Sequence, residues 1–313
     1  MILALPAFLK GSLFVLFCSL NTVLCFSILL PAICLKPLTD RTPLAPYLGL
    51  FLTVCVSYWA DGNSRVLEKL LQTEWDLQIP EDLAEKHWYL LISNHQSWAD
   101  IFILFKVLNR KIPFPKYFVK DKLLWLPVLG PVFWAMDFPI MKRYSKSYLE
   151  KHPEQRGKDL ETTRRSCEKF KYIPTTVINF PEGTRYRPAK AKAQNSPYHH
   201  LLLPRAGGAA LALYSMGEYF TAALNVTIAY STEHATCWQF ISGQIKRITV
   251  RVELIPIPGE FIQRDYRTDQ QFRENFQAWI NQKWKAKDRL IEDFASRDAE
   301  AFAQEEKRQI VTQ

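Results

Sequence analysis

Apolar positions fall in two regimes along this chain. The first sixty residues are hydrophobic almost without interruption; beyond them hydrophobic positions come in short runs separated by polar turns. Gly11 to Leu35 holds no charge and is bracketed by Lys10 and Lys36. Twenty-five residues at about 1.5 Å each are enough to cross a hydrocarbon core of roughly 30 Å with some tilt. No clear small-x-small cleavage site closes the run as it would in a secretory signal, so a membrane helix is expected. A second uncharged run, Thr42 to Ala60, opens with Pro43 and Pro46, where a helix tolerates proline, and ends with Tyr58 and Trp59 in the manner of an interfacial belt. The two runs read as a transmembrane hairpin or as a re-entrant pair in one leaflet, with a core helix as the alternative for the second. Residues 1–60 are therefore taken as an anchoring segment and 61–313 as a domain long enough to bury its own core.

Within that domain the pattern predicts a short amphipathic helix over Val66–Leu71 and a strand over Trp75–Ile79. A buried strand over Trp88–Ser93 leads into a packed helix from Ile101 to Asn109. Further strands are expected at Lys116–Lys120, Phe138–Met141, Thr175–Asn179, Leu224–Tyr230 and Ile245–Ile255. Lys158–Tyr172 reads as a charged helix, residues 187–203 as an exposed polar loop containing His199 and His200, and Arg205–Ala212 as the start of a small-residue helix. From Gln270 to Phe294, Phe272, Phe276, Ile280 and Trp284 recur every four residues, the stripe of a helix packed on the domain. Lys283, Lys285, Lys287 and Arg289 cluster alongside it.

Composition narrows the class. Hydrophobic residues make up 48% and aromatics 13%, which excludes a disordered chain. The six cysteines show neither C-x-x-C nor Cys/His ligand spacing, so no zinc site or disulfide framework is indicated, in keeping with a reducing compartment. Net charge is +9, and residues beyond 60 carry 37 basic against 30 acidic groups. No basic, aromatic module of a nucleic-acid-binding type is visible, and an anionic membrane surface fits this charge better than nucleic acid does.

Chemistry concentrates at Asn94-His95-Gln96-Ser97-Trp98-Ala99-Asp100, where a strand hands over to a helix. On a continuous helix His95 and Asp100 would point roughly 140° apart. They meet only if His95 lies on the preceding turn and Asp100 reaches back from the helix start, leaving one ring nitrogen free as a general base. Asn94 or Ser97 would cap the helix. A second polar block, Phe180-Pro181-Glu182-Gly183-Thr184-Arg185, also follows a β-rich run.

These two blocks, N-H-x-S-x-x-D and F-P-E-G-T-R, stand complete and about eighty residues apart. They resemble the first and third hallmark blocks of the glycerolipid acyltransferase family, the 1-acylglycerol-3-phosphate O-acyltransferase type. Lys120, Pro127, Gly130 and Arg143 match the spacing of its second block. Arg205 stands where a lysine is usual, and Asn225 where a proline is. The resemblance runs from about Trp75 to Ile255. It implies an α/β fold, a mixed central sheet flanked by helices, attached to an N-terminal membrane helix pair. Met141 to Ser145 and the apolar N-terminus look most like an inner-membrane bacterial branch, with the active site facing the cytoplasm.

Acyl transfer to a lysophospholipid needs a hydroxyl made nucleophilic, which is work for His95 held by Asp100. No G-x-S-x-G elbow is present, so Ser97 is not read as a nucleophile and direct attack by the acceptor is expected. Arg143 and Arg185 offer guanidinium forks for a phosphate. Gly183 permits close backbone approach, and Glu182 would accept from a glycerol hydroxyl or fix an arginine. Lys120 and Thr184 join the substrate-binding set through the resemblance. N–H groups at the helix start would hold the oxyanion. An acyl-CoA or acyl-carrier-protein thioester already carries the activation, so no metal or bound cofactor is expected. Lysophosphatidic acid is the expected acceptor, with glycerol 3-phosphate and lysophosphatidylglycerol as alternatives within the class. A non-catalytic scaffold for anionic lipid is the alternative outside it.

Overall fold

The computed structural model describes residues 5–40, 42–141 and 158–311. It opens with two antiparallel helices, α1 (Ala7–Thr39) and α2 (Ala45–Leu70). There follow β1 (Glu74–Gln78), β2 (Tyr89–Ser93), α3 (Ala99–Leu108), β3 (Pro115–Tyr117), β4 (Val119–Lys120), α4 (Leu129–Ala135) and β5 (Ile140–Met141). The second half holds α5 (Lys158–Cys167), β6 (Thr176–Asn179), α6 (Pro188–Ala193), α7 (Gly207–Met216), β7 (Ala222–Tyr230), α8 (Cys237–Ile241), β8 (Arg247–Ile255) and α9 (Gln270–Val311).

Six strands form one sheet in the order β1-β8-β7-β2-β6-β3, while β4 and β5 pair apart from it. β7, β2, β6 and β3 are mutually parallel, and β8 turns back antiparallel to β7 with β1 parallel beside it. This is the mixed sheet the resemblance implied. All five residues of β2 and all nine of β7 are buried, because helices cover both faces and each strand must be apolar on both sides. On one face Tyr89, Leu91, Leu224, Val226 and Ile228 pack with Leu67 of α2, Ile103 and Val107 of α3 and Phe240 of α8. On the other, Leu90, Ile92 and Ala223 pack with Cys167 of α5, Leu213 of α7 and the Phe276–Ile280–Trp284 stripe of α9. α7 comes close because its first turn is small: a Cβ on Gly208 would lie 2.4 Å from Asn179 Nδ2.

Three expectations change. The short helix at Val66–Leu71 is the end of α2, so the division drawn at residue 60 falls inside a helix. The helix expected over Lys158–Tyr172 stops at Cys167 and tightens into a 3₁₀ turn over Glu168–Lys171. The loop expected over 187–203 contains α6 and ends on Leu201 and Leu202, both fully buried. Leu201 is drawn from a polar stretch into the α7–α9 core by the free energy of apolar burial.

The N-terminal hairpin lies along the domain. Asn21 Nδ2 donates to Trp59 O and to Asn63 Oδ1, and Trp59 Nε1 donates to Thr22 Oγ1, which fixes α1 against α2. At one end the site of a Cβ on Gly11 is 2.8 Å from the Trp238 ring, and at the other Lys36 Nζ lies 3.0 Å from Asp137 Oδ2. The opposite face of the pair stays apolar and exposed, with Leu16, Leu20, Val23 and Leu24 on α1 and Tyr47 and Leu50 on α2. Among the described residues α1 alone is long and apolar enough to cross a membrane; α2 carries Asp61, Arg65, Glu68 and Lys69 in its second half.

Candidate active site

Neighbouring parallel strands end at the same edge of a sheet. Leu91 of β2 lies beside Ile178 of β6, so the two polar blocks that follow these strands emerge together. His95 sits on the turn after β2 and Asp100 in the first turn of α3, reaching back as the spacing required. His95 Nδ1 and Asp100 Oδ2 are 2.8 Å apart. The same oxygen accepts from Gln96 N at 2.8 Å and Ser97 N at 2.9 Å, and Tyr230 O–H, from the end of β7, donates to Oδ1. Asp100 is completely buried, a position a carboxylate holds only when it is saturated with donors. Because an ionised carboxylate only accepts, the ring proton sits on Nδ1 and the Nε2 lone pair is left free. The His95 side chain is 13% exposed, and the Phe180 ring stacks on it at 4.3 Å.

Asn94 does not cap the helix. β2 stops pairing with β7 at Ser93, opposite Val226, and the Asn94 side chain continues the ladder: Nδ2 donates to Ile228 O and Oδ1 accepts from Ile228 N. Ser97 Oγ does accept from Ala99 N, at 3.3 Å. Glu182 departs from expectation as well. One carboxylate oxygen accepts from His95 N and the other from Leu202 N, both at 2.9 Å, so it neither fixes an arginine nor faces a substrate hydroxyl. It is a buried brace between the two blocks, and burial pushes its carboxyl up to about 8 against the pull of those two N–H groups. The helix-start oxyanion hole narrows to Trp98 N. Gln96 N and Ser97 N are committed to Asp100, and Ala99 N to Ser97.

Gly183 is exposed with φ +67° and nothing within 4 Å of where a Cβ would stand, so the backbone there is bare. Thr184 Oγ1 accepts from Lys190 Nζ at 2.6 Å. The Arg185 guanidinium lies over the Trp98 ring at 4.8 Å, and that ring meets His95 edge-on. No carboxylate among the described residues pairs with Arg185, which leaves its charge for an anion. Lys120 is exposed on the β4–β5 ladder opposite Met141, and no described bond joins it to the His95 turn. Arg143 lies outside the described residues. His199 and His200 make no described contact with the His95 ring, and both backbone N–H groups donate to Asp288. Tyr230 went unread in the sequence: a tyrosine closing an apolar strand carries no local sign that its hydroxyl will meet an aspartate 130 residues earlier.

Comparison with known proteins agrees with this geometry. The family profile described as Acyltransferase matches residues 75–230, about half of the chain and all of both blocks. The chain is 24% identical over 230 residues to mouse 1-acyl-sn-glycerol-3-phosphate acyltransferase epsilon, covering 66% of this chain and 57% of that one. It is 27% identical over 225 residues to the probable 1-acyl-sn-glycerol-3-phosphate acyltransferase 5 of Arabidopsis thaliana, covering 66% and 53%. The chain thus spans little more than half the length of these curated relatives. The crystal structure of the 1-acyl-sn-glycerophosphate acyltransferase PlsC from Thermotoga maritima superposes with a TM-score of 0.49 at 14% identity, over 88% of this chain and 97% of that one. With both hallmark blocks joined around one histidine and one aspartate, and the acyltransferase profile spanning them, the chain belongs to the glycerolipid acyltransferase family.

Proposed function

We propose that this protein is a membrane-associated O-acyltransferase that moves a fatty acyl group from a thioester to the free hydroxyl of a lysophosphatidic-acid-like acceptor. The observation that carries the reading is the His95–Asp100 pair, with Asp100 held by three further donors and Nε2 left open. The acceptor hydroxyl gives its proton to Nε2 as its oxygen bonds to the thioester carbonyl carbon. The attraction of Asp100 steadies the positive charge on the ring. The tetrahedral intermediate expels the thiolate of CoA or acyl-carrier protein, which recovers the proton, leaving an ester and a free thiol. Arg185, stacked on Trp98 and without an acidic partner among the described residues, takes the acceptor phosphate. Gly183 lets that phosphate approach the backbone.

The membrane part of the reading rests on the exposed apolar faces of α1 and α2, continued by Trp125, Leu126 and Leu129. α1 touches the domain near both of its ends, so a transverse helix would drag a charged domain into the bilayer. A hairpin lying in one leaflet keeps the domain in water and brings His95 toward headgroup depth.

The test is acyl transfer by detergent-solubilised protein from acyl-CoA to a panel of lysophospholipids and glycerol 3-phosphate. His95→Ala is expected to cost on the order of 100- to 10,000-fold in kcat, with the melting temperature unchanged. Near-normal turnover in a folded His95→Ala protein refutes the base assignment, whereas a folded wild-type protein that binds anionic lipid and transfers no acyl group leaves the scaffold reading in its place.

A further inference from the structure

Lys287 lies on α9, outside the region that matches the acyltransferase profile, yet its side chain is buried beneath the site. The lysine cluster read from the sequence as a set alongside the apolar stripe therefore splits: this member turns inward. Lys287 Nζ donates to Val226 O, and to Thr227 Oγ1 at 3.3 Å. Val226 is the last residue of β7 paired with β2, opposite Ser93, and the N–H and C=O of Ile228 lie on the edge of β7 that β2 leaves open beyond it. Asn94 fills the Ile228 positions, and Lys287 adds a donor to the last paired carbonyl before them. The next inward-facing residue, Tyr230, holds Asp100. Val226, Ile228 and Tyr230 thus engage Lys287, Asn94 and Asp100 in turn, the first two through the backbone and the third through its side chain. The Lys287 ammonium also feels the attraction of the Glu182 carboxylate, and Glu182 is what holds His95 N.

We propose that Lys287 is a positioning residue for the catalytic turn: it braces β7 at Val226 and Thr227, next to the open Ile228 position that Asn94 fills, and so holds the His95 backbone in place from the far face of the sheet. It donates an N–H to Val226 O in either protonation state, so the brace does not depend on its charge. An apolar replacement takes a buried donor away from that carbonyl, which loosens the strand from which Asn94 and Tyr230 hang. The proposal builds on the role of His95 given above but concerns the rigidity of the turn.

The test compares wild type, Lys287→Met and Lys287→Gln, each full-length in detergent, by two readouts. One is kcat and KM for acyl transfer. The other is the rate at which diethyl pyrocarbonate modifies His95, followed by peptide mass spectrometry. Lys287→Met is expected to lower kcat on the order of 10- to 100-fold with acceptor KM within about twofold. Modification of His95 should quicken about fivefold or more as the turn opens more often. Lys287→Gln keeps an N–H for Val226 O with a shorter reach, and should recover part of both losses. A folded Lys287→Met protein with wild-type kcat and wild-type His95 reactivity overturns the proposal. So does an equal loss in Met and Gln variants, since the donor would then be irrelevant. If Lys287→Met does not fold, Lys287→Gln is read against wild type: lower kcat with faster His95 modification supports the brace, and no change in either overturns it. Wild-type protein that transfers no acyl group refutes the acyltransferase reading alone, and His95 reactivity then tests Lys287 by itself.

Discussion

Replacing Asp100 by asparagine removes one charge from the site while its hydrogen bonds can be kept. Oδ2 accepts from the ring and from two backbone N–H groups, so the amide oxygen of the introduced asparagine has to take that place. The amide nitrogen then faces the Tyr230 hydroxyl, which can accept as readily as it donates. The ring proton stays on Nδ1, and what disappears is the attraction between a carboxylate and the positive charge that develops on the imidazole. With charge centres about 4 Å apart and an effective dielectric near 20, that attraction is about 4 kcal/mol. Such a loss corresponds to roughly a thousandfold in kcat. The assay is thiol release from acyl-CoA at saturating lysophosphatidic acid, paired with nitrogen NMR of ring-labelled histidine to read the tautomer. Turnover of Asp100→Asn within about tenfold of wild type would show that the charge contributes little. A proton found on Nε2 would show that the two backbone donors do not dictate the orientation of the amide.

The other expectations come from single contacts. Tyr230→Phe leaves Asp100 Oδ1 buried without a donor and should cost about 1.5–3 kcal/mol of stability in chemical denaturation; a variant as stable as wild type would mean that bond is not formed. Lys287 gives a pH signature, because burial pulls its ammonium down to about 7 from the usual lysine range. A depressed lysine contributes stability that is fully present above its unfolded value and lost as pH falls through the folded one. The penalty of Lys287→Met relative to wild type should therefore grow between pH 7 and pH 10, by about 1.4 kcal/mol per unit, and a gap constant over that range contradicts it. Trp125 is 87% exposed on the turn before α4, and Trp125→Glu should weaken binding to anionic vesicles in flotation while leaving turnover on short-chain soluble acceptors intact. Unchanged flotation would remove this turn from the membrane face.

The pairing of His95 with Asp100 was legible because two covalently close residues leave few geometries, and a five-residue spacing admits contact only across a helix start. The sheet strands were legible where they are buried on both faces, since continuous apolar runs at Tyr89–Ser93 and Thr176–Asn179 leave little else for the chain to do. Glu182 was misread for a physical reason. A glutamate beside a glycine and an arginine looks like part of a ligand-binding surface, and nothing local says that two backbone N–H groups, one 87 residues earlier and one 20 later, will claim both its oxygens. Lys287 was hidden in the same way. Its neighbours Lys285 and Arg289 share its charge, and only the packing of α9 against β7 brings the Val226 carbonyl within its reach. Tyr230 and Asn94 belong to this set: each answers a demand set by strand order, which the sequence does not display.

The apolar hairpin has a consequence for how the molecule is made. Phe14 of α1 and Leu67 and Leu70 of α2 belong to the same packed cluster as the sheet, and Gly11 rests on Trp238, about 230 residues further along. During synthesis α1 therefore leaves the ribosome long before its partner surface exists. It must wait with its apolar sides uncovered, and a lipid surface is the shelter that matches them. On the proposed membrane reading the domain then assembles against helices already at the bilayer, so docking and maturation coincide in place and time. The hairpin acts as a template on which the enzyme is completed, and a chain deprived of lipid at that stage has aggregation as its competing outcome.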